Sequence, residues 1–486
     1  MYQMIRKAAR ITIRTFWFFV VSIYATTTVA ATALPSLGDA YSGLISLHAE
    51  RQLGLSWLNQ LRKNVPTISD PEVVNYVNTL IYKLVPNTDL KERRIVSVIV
   101  DSSKLNAFAV PGGILGINAG LFLHADNEQK FASVIAHELG HMSQRHYARS
   151  LQRKNDNRPL ALAGFLASMI LAATTGSNVG MAALAGTQAL RMQSQLHFSR
   201  QNEREADRAG IKILYKSGFD PKAMPEMFEE MQKESRLNGG SPPEYLSTHP
   251  VTESRISDSM NRARQYPKVT THESLEYHLM RARIFLYYAK SVKESIAYFT
   301  ALLKSSPLSM NRMIYRYGLL ISLIKDRKYS LALKDADLLV KQEPGRIAFA
   351  IAKARVLEGL KQNRGAVNLL KIQISYNPDN YPLNMALANA LEKNKNFAYA
   401  EKILVKQTYA HPLRPEIWHK LSEVAGLNGD IIQVHRADAE YFYLTGDTNK
   451  AIKQLNIALK KAQNNDILSQ IIQTRLSEFY KAKKNK

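Results

Sequence analysis

Apolar and polar positions along the chain repeat mostly at helical spacing, with one short stretch of a different kind. Between Leu34 and about Asn87, the residues Leu44, Leu47, Leu53, Leu55, Trp57, Leu58 and Leu61 share one periodic segment, and Asp70-Pro71 opens another that runs through Leu84. Ile95-Val96-Ser97-Val98-Ile99-Val100 is rich in β-branched residues and predicts a strand. Asn106 to Val110 and Ile114 to Asn118 flank Pro111-Gly112-Gly113, which predicts two strands joined by a turn. Asp126-Asn127-Glu128-Gln129 resembles a capping box, and Phe131, Val134, Ile135 and Leu139 follow it at helical spacing. Another helix spans Gln201 to about Gly218, with Pro221 beyond its end.

The C-terminal portion repeats. Pro344, Pro378 and Pro412 are spaced by 34 residues, Ala332, Ala366 and Ala400 keep the same period, and so do Ala354 and Ala388. A helix–turn–helix period of about 34 residues is that of tetratricopeptide repeats, in which small Ala positions let paired helices approach and Pro ends the second helix. Gly446-Asp447 with Ala451 and Ala458 suggests one more unit. The pattern predicts about four to six repeats from Glu273 onward, forming a concave binding surface, and a frayed basic tail from Lys481 to Lys486. The expected fold class is mainly α with a small β-sheet: a compact N-terminal domain followed by an α-solenoid of tetratricopeptide repeats.

A chain of 486 residues is too long for one ordinary core, which agrees with two or more domains. The chain has no Cys, so it has neither a disulfide framework nor a Cys-based zinc site. Its formal net charge of +24 is spread along the whole length. Two readings stand: a basic soluble protein, or one in peripheral contact with an anionic membrane surface. No recognisable nucleic-acid motif accompanies the charge, which argues against nucleic acid as a partner. At the N-terminus, Arg6, Lys7, Arg10 and Arg14 precede the apolar run Phe16 to Ala25, and Ala31-Thr32-Ala33 offers a cleavage site, with Thr28-Val29-Ala30 as an alternative. Residues 1–33 are therefore expected to be a signal peptide, with a retained N-terminal membrane anchor as the alternative, and a bacterial periplasm fits as destination. The apolar run Pro159 to Thr175 is a little short for a bilayer span and is open to four readings: core, membrane interface, a true span or a mobile lid.

The candidate chemistry lies in the middle of the chain. His137-Glu138-Leu139-Gly140-His141 reads H-E-x-x-H inside a helix, so both imidazoles share one face and can grip one Zn²⁺, with Glu138 beside them as a candidate general base. A catalytic zinc typically takes three protein ligands. Roughly sixty residues on, Gln201-Asn202-Glu203-Arg204-Glu205-Ala206-Asp207 places Glu203 and Asp207 on one helical face. Glu203 can ligate, and Asp207 can accept a hydrogen bond from a ligating His and fix its tautomer.

Together these elements resemble the M48 zinc metallopeptidases, in which H-E-x-x-H is followed by a helix carrying E-x-x-A-D. Asn106-Ala107-Phe108-Ala109-Val110-Pro111-Gly112-Gly113 with Ile114 to Phe122, and Leu246-Ser247-Thr248-His249-Pro250 with Arg255 and Ile256, resemble the family's flanking stretches. The resemblance implies a zincin-like domain over 34–265, ahead of repeats over 273–486. It implies a single zinc held by His137, His141 and Glu203, the latter chosen over Glu205. It implies that zinc-activated water attacks a peptide carbonyl while Glu138 acts as base. His249 has two expected roles by analogy, stabilising the oxyanion or occupying the open zinc position, and Arg255 is a further candidate for the oxyanion. In zincin-type sites a substrate chain lies along an edge strand, and Ile114, Leu115, Gly116, Ile117 and Asn118 are expected to offer that edge. His124, His146 and His197 lack ligand spacing and are expected to be structural or surface residues. The resemblance extends to the order of signal peptide, peptidase core and repeats, and by that resemblance unfolded or misassembled outer-membrane barrel proteins are the implied substrates. The same resemblance implies the barrel-assembly machinery as partner through the repeats, and a chaperone-like role besides proteolysis.

Overall fold

The computed structural model describes residues 46–147, 199–237, 243–306 and 309–484. The signal-peptide segment, the apolar run 159–175 and His197 lie outside the described residues.

The described chain opens with α1 (Leu47–Asn64), capped by the Ser46 side chain, and α2 (Pro71–Leu84), whose first turn is held by the Asp70 carboxylate accepting from Glu72 N and Val73 N. Three short strands follow: β1 (Val96–Val100), β2 (Ala107–Val110) and β3 (Ile114–Asn118). Next come α3 (Leu121–His124), α4 (Glu128–Ser143), α5 (Arg200–Lys216), α6 (Ala223–Leu237), α7 (Glu244–Thr248) and α8 (Glu253–Ala263). The β2–β3 hairpin turns through Gly112 and Gly113, both with φ near +80°. At Gly112 a Cβ would also fall 2.3 Å from the Glu50 carbonyl oxygen, so α1 can approach this turn only if the residue is glycine.

The sheet corrects one expectation. Its order is β1-β3-β2, with β3 parallel to β1 (Val96 opposite Ile114) and antiparallel to β2 (Ala107 opposite Ile117). The segment Ile114, Leu115, Gly116, Ile117 and Asn118 is therefore the central strand and not an edge. It is hydrogen-bonded on both sides and all five residues are buried, so no backbone row remains for a substrate to pair with. A hairpin is legible from its turn, but docking of β1 on the far side of β3 is a non-local pairing that leaves no mark in the spacing. The outer strands among the described residues are β1, bridged at Thr67 to Val100, and β2, which packs against α4.

Twelve described helices follow, from α9 (Leu275–Tyr288) to α20 (Asp466–Lys484), forming six consecutive pairs. Ala332, Ala366 and Ala400 sit fully buried at equivalent places in the second helices, and Pro344, Pro378 and Pro412 fall in the turns after them. Among the described residues the repeats pack directly on the N-terminal elements. One hydrophobic cluster runs from Trp57 to Ala437. Tyr277 of α9 stacks on Phe122 (centroids 5.8 Å apart) and donates its hydroxyl to the Ala125 carbonyl at 2.7 Å. The first helices of successive repeats face α2: Arg283 pairs with Asp70 and with Glu72 (3.1 Å), the Tyr317 hydroxyl lies 3.3 Å from Glu72, and Arg355 lies 3.1 Å from Glu72. The first helices of these repeats thus pack on the start of α2.

Candidate active site

Helix α4 is buried continuously from Lys130 to His141, which places H-E-x-x-H in the protein interior. Asn127 caps it by accepting from Lys130 N at 2.9 Å. Helix α5 lies against it at close range because Gly140 carries no side chain: a Cβ there would meet the Ala206 carbonyl oxygen at 2.7 Å. That contact brings Glu203 onto the two histidines.

Four donor atoms converge. His137 Nε2 lies 3.0 Å from His141 Nε2, 3.5 Å from Glu203 Oε2 and 3.4 Å from His249 Nδ1. His141 Nε2 lies 3.4 Å from Glu203 Oε1, and His249 Nδ1 lies 3.1 Å from Glu203 Oε1. Ligands held about 2.0–2.1 Å from one zinc in a tetrahedron stand roughly 3.4 Å apart, so the spacing and the donor types fit that ion. His137, His141, Glu203 and His249 together form a buried group able to hold one metal ion.

The first three donors are the sequence-expected set, and each is held from behind. Asp207 Oδ1 lies 2.9 Å from His137 Nδ1. Arg255 donates from Nε and Nη2 to the two Asp207 oxygens (2.9 and 2.8 Å), reaches Glu203 Oε2 at 2.9 Å and donates to the Pro250 carbonyl at 2.6 Å. The guanidinium is thereby committed to the carboxylates behind the donors and clamps them in place. His146, read from the sequence as structural or surface, holds the other histidine. Arg145, at φ 47°, turns the chain after α4 so that His146 Nδ1 lies 2.9 Å from His141 Nδ1 and His146 Nε2 lies 3.1 Å from Glu205. With His141 Nε2 facing the donor cluster, the consistent tautomers make His141 Nδ1–H donate to His146 and His146 Nε2–H donate to Glu205. A His five residues past the motif and an acid two past Glu203 were the available signals. His124 lies elsewhere, 3.0 Å from Glu234.

Electrostatics follow from burial and pairing. Burial pushes Glu203 up, but His249, His137 and His141 hold it well below the usual carboxylate range. Burial also raises Asp207, and Arg255 and His137 outweigh it to leave that group low. His137 is opposed by burial yet held up to about 9 by Asp207 and Glu203. Glu138 is different: it is fully buried, and burial raises it against the pull of His249, His137 and a hydrogen bond from Tyr245. A carboxyl raised in this way suits proton transfer near neutral pH.

Residues 71–263 match the family model described as Peptidase family M48. The chain is 33% identical over 425 residues to the "Beta-barrel assembly-enhancing protease" of Yersinia pestis, covering 87% of each. The chain belongs to the M48 peptidases. The protein of that name from Escherichia coli strain K12 is 32% identical over 431 residues, covering 88% of this chain and 87% of the relative. The mitochondrial metalloendopeptidase OMA1 of Arabidopsis thaliana is 31% identical over 158 residues, covering 32% of this chain and 29% of that one. Family and donor set agree: this M48 peptidase is a zinc metalloendopeptidase.

Proposed function

We propose that this M48 peptidase is exported to the periplasm, where it cleaves unfolded or misassembled outer-membrane β-barrel proteins and assists their assembly, and that its site rests closed. The names of its relatives support the client class, and the N-terminal charge and apolar pattern supports export. No described helix is long and apolar enough to cross a membrane. The domain limits 34–265 and 273–486, the barrel-assembly machinery as partner and a chaperone-like role belong to the same reading.

In the mechanism we infer, His137, His141 and Glu203 hold zinc, which when bound supplies a Lewis acid and acidifies water. Glu138 takes the proton of the attacking water and returns it to the leaving amine. Asp207, Arg255, His146 and Glu205 fix the ligands, so Arg255 is a positioning residue and not a free oxyanion donor.

The convergence of four protein donors carries the closed-site reading. A catalytic zinc site keeps one position open, whereas four protein ligands make a closed one. His249 Nδ1 fills that fourth corner, and its Nε2 lies 3.5 Å from Glu138 Oε1, between the base and any carbonyl. His249→Ala should keep its zinc and cleave an unfolded protein about tenfold faster, since access no longer waits on displacing the plug. Proteolysis assays with zinc analysis on both proteins check this. A slower variant with zinc intact would assign His249 to the oxyanion instead.

A further inference from the structure

The last described pair of helices, α19 (Thr448–Lys461) and α20 (Asp466–Lys484), frames a groove of about 520 Å³. Binding clefts usually enclose about 300–1,000 Å³. Three lysines line it, Lys453 and Lys460 from α19 and Lys483 from α20, and no acidic residue does. All three are exposed, and none has an ion-pair or hydrogen-bond partner among the described residues. Acids of the neighbouring segments hold other cations: Glu440 and Glu478 face Arg475, and Asp447 lies 3.1 Å from Lys450. Three cations around one hollow, with no acid to neutralise them, draw an anion into it.

The floor is apolar. Ile452 is 8% exposed and belongs to a buried cluster with Leu455, Ile472 and Phe479, while Ile457 and Tyr480 add apolar surface that a ligand can reach. Along α19, Asn456 stands between the two lysines. It donates from Nδ2 to the Ile452 carbonyl at 2.9 Å, which leaves its amide oxygen to accept from a peptide N–H. The inner repeats show what this face otherwise meets. Ala451 of α19 and Ala332 of α12 (Tyr329–Gln342) are fully buried at corresponding places near the start of their helices. In that register Asn456 takes the place of Asp337, which lies 2.9 Å from Lys353 in the next repeat. Where an inner repeat sets an acid against its successor, α19 carries a neutral amide between two lysines.

We propose that this groove binds an acidic segment of another polypeptide in extended form. Lys453 and Lys460 are about two helical turns apart, roughly 10.5 Å along the axis. A polyproline-type chain advances about 3.1 Å per residue and returns to the same side every third residue, so carboxylates three apart stand roughly 9 Å from each other. Lysine side chains are long and flexible enough to cover the difference. An apolar residue between the two acids meets Ile452, Ile457 and Tyr480. A membrane surface is a poorer occupant, because interfacial binding buries apolar side chains that protrude, and Ile452 lies in the floor. The inference concerns the repeats and does not depend on the zinc centre.

Fluorescence anisotropy of a labelled peptide containing Glu-Leu-Pro-Glu tests it on the full-length protein, beside the same peptide with Gln for both Glu. Lys453→Glu/Lys460→Glu probes the groove. Lys341→Glu/Lys402→Glu removes the same charge at exposed lysines in second helices of inner repeats. The expected result is binding of the Glu peptide that weakens about tenfold or more with the Gln peptide and with Lys453→Glu/Lys460→Glu, and less than about twofold with the control pair. Lys483→Glu, on the other wall, should weaken it too with α19 untouched, and Tm should stay the same in every variant. No binding by the wild type, or unchanged affinity in Lys453→Glu/Lys460→Glu, would overturn the site. Equal losses in both double variants would overturn it as well, by assigning the attraction to overall charge. Capture of phosphatidylglycerol vesicles but not of the Glu peptide, lost in Lys453→Glu/Lys460→Glu, would replace the polypeptide with a membrane surface.

Discussion

Glu138→Gln is expected to abolish cleavage of an unfolded protein while the zinc content and thermal stability stay at the wild-type level. The residue touches the chemistry and little else. Its carboxyl is fully buried, and the amide keeps the shape of the side chain and an oxygen that can accept from Tyr245. His137 and His141, which flank it in α4, keep their supports in Asp207 and His146. What disappears is the proton acceptor, and general-base catalysis contributes about 10²- to 10⁴-fold. Because burial already works against the ionised carboxyl, the variant should melt at the same temperature or slightly higher. Quantified cleavage products, metal analysis and a thermal melt on the same preparations check the three parts. A large fall in zinc or in Tm would mean that Glu138 supports the fold and not the reaction.

Arg255→Ala is expected to have the largest effect on stability of any substitution around the site. The guanidinium is 3% exposed and faces two carboxylates, Asp207 at 2.8–2.9 Å and Glu203 at 2.9 Å. Removing it strands two buried negative groups, and breaking a buried pair from one side costs about 3–5 kcal/mol. Loss of support behind the ligands should weaken metal affinity as well, by roughly 10- to 100-fold. Arg255→Lys keeps a charge but cannot form the two-pronged contact with Asp207, and should fall between the two proteins. Denaturant midpoints with and without a chelator separate the contributions, and a midpoint unchanged in Arg255→Ala would remove the clamp from the account.

The parts of this site that were legible in the sequence share a local origin. His137 and His141 lie four apart on one helix, as do Glu203 and Asp207, so helical geometry alone faces them the same way. The hairpin of β2 and β3 followed from Pro111-Gly112-Gly113, and the repeats followed from Ala and Pro at a fixed period. What escaped depends on chain-distant packing. The central place of Ile114–Asn118 is set by β1, which reaches β3 past the intervening β2. The support of His141 by His146 depends on a left-handed Arg145, a conformation uncommon for a side-chain-bearing residue and invisible in a spacing. The packing of the repeats on α2 left no mark either, because helical periodicity shows that a face is apolar or polar, not what covers it. Glu72 and Asp70, two residues at the start of α2, prove to be their counterpart.

The closed zinc centre is tested most directly by X-ray absorption at the zinc edge on the purified full-length protein, alongside its zinc stoichiometry. One zinc per chain, bound by three imidazole nitrogens and a carboxylate oxygen, is predicted for the wild type. Two imidazoles and an added water oxygen are predicted for His249→Ala. Two imidazoles in both proteins would contradict the plug, and a wild-type protein that binds no zinc would contradict the centre as a whole.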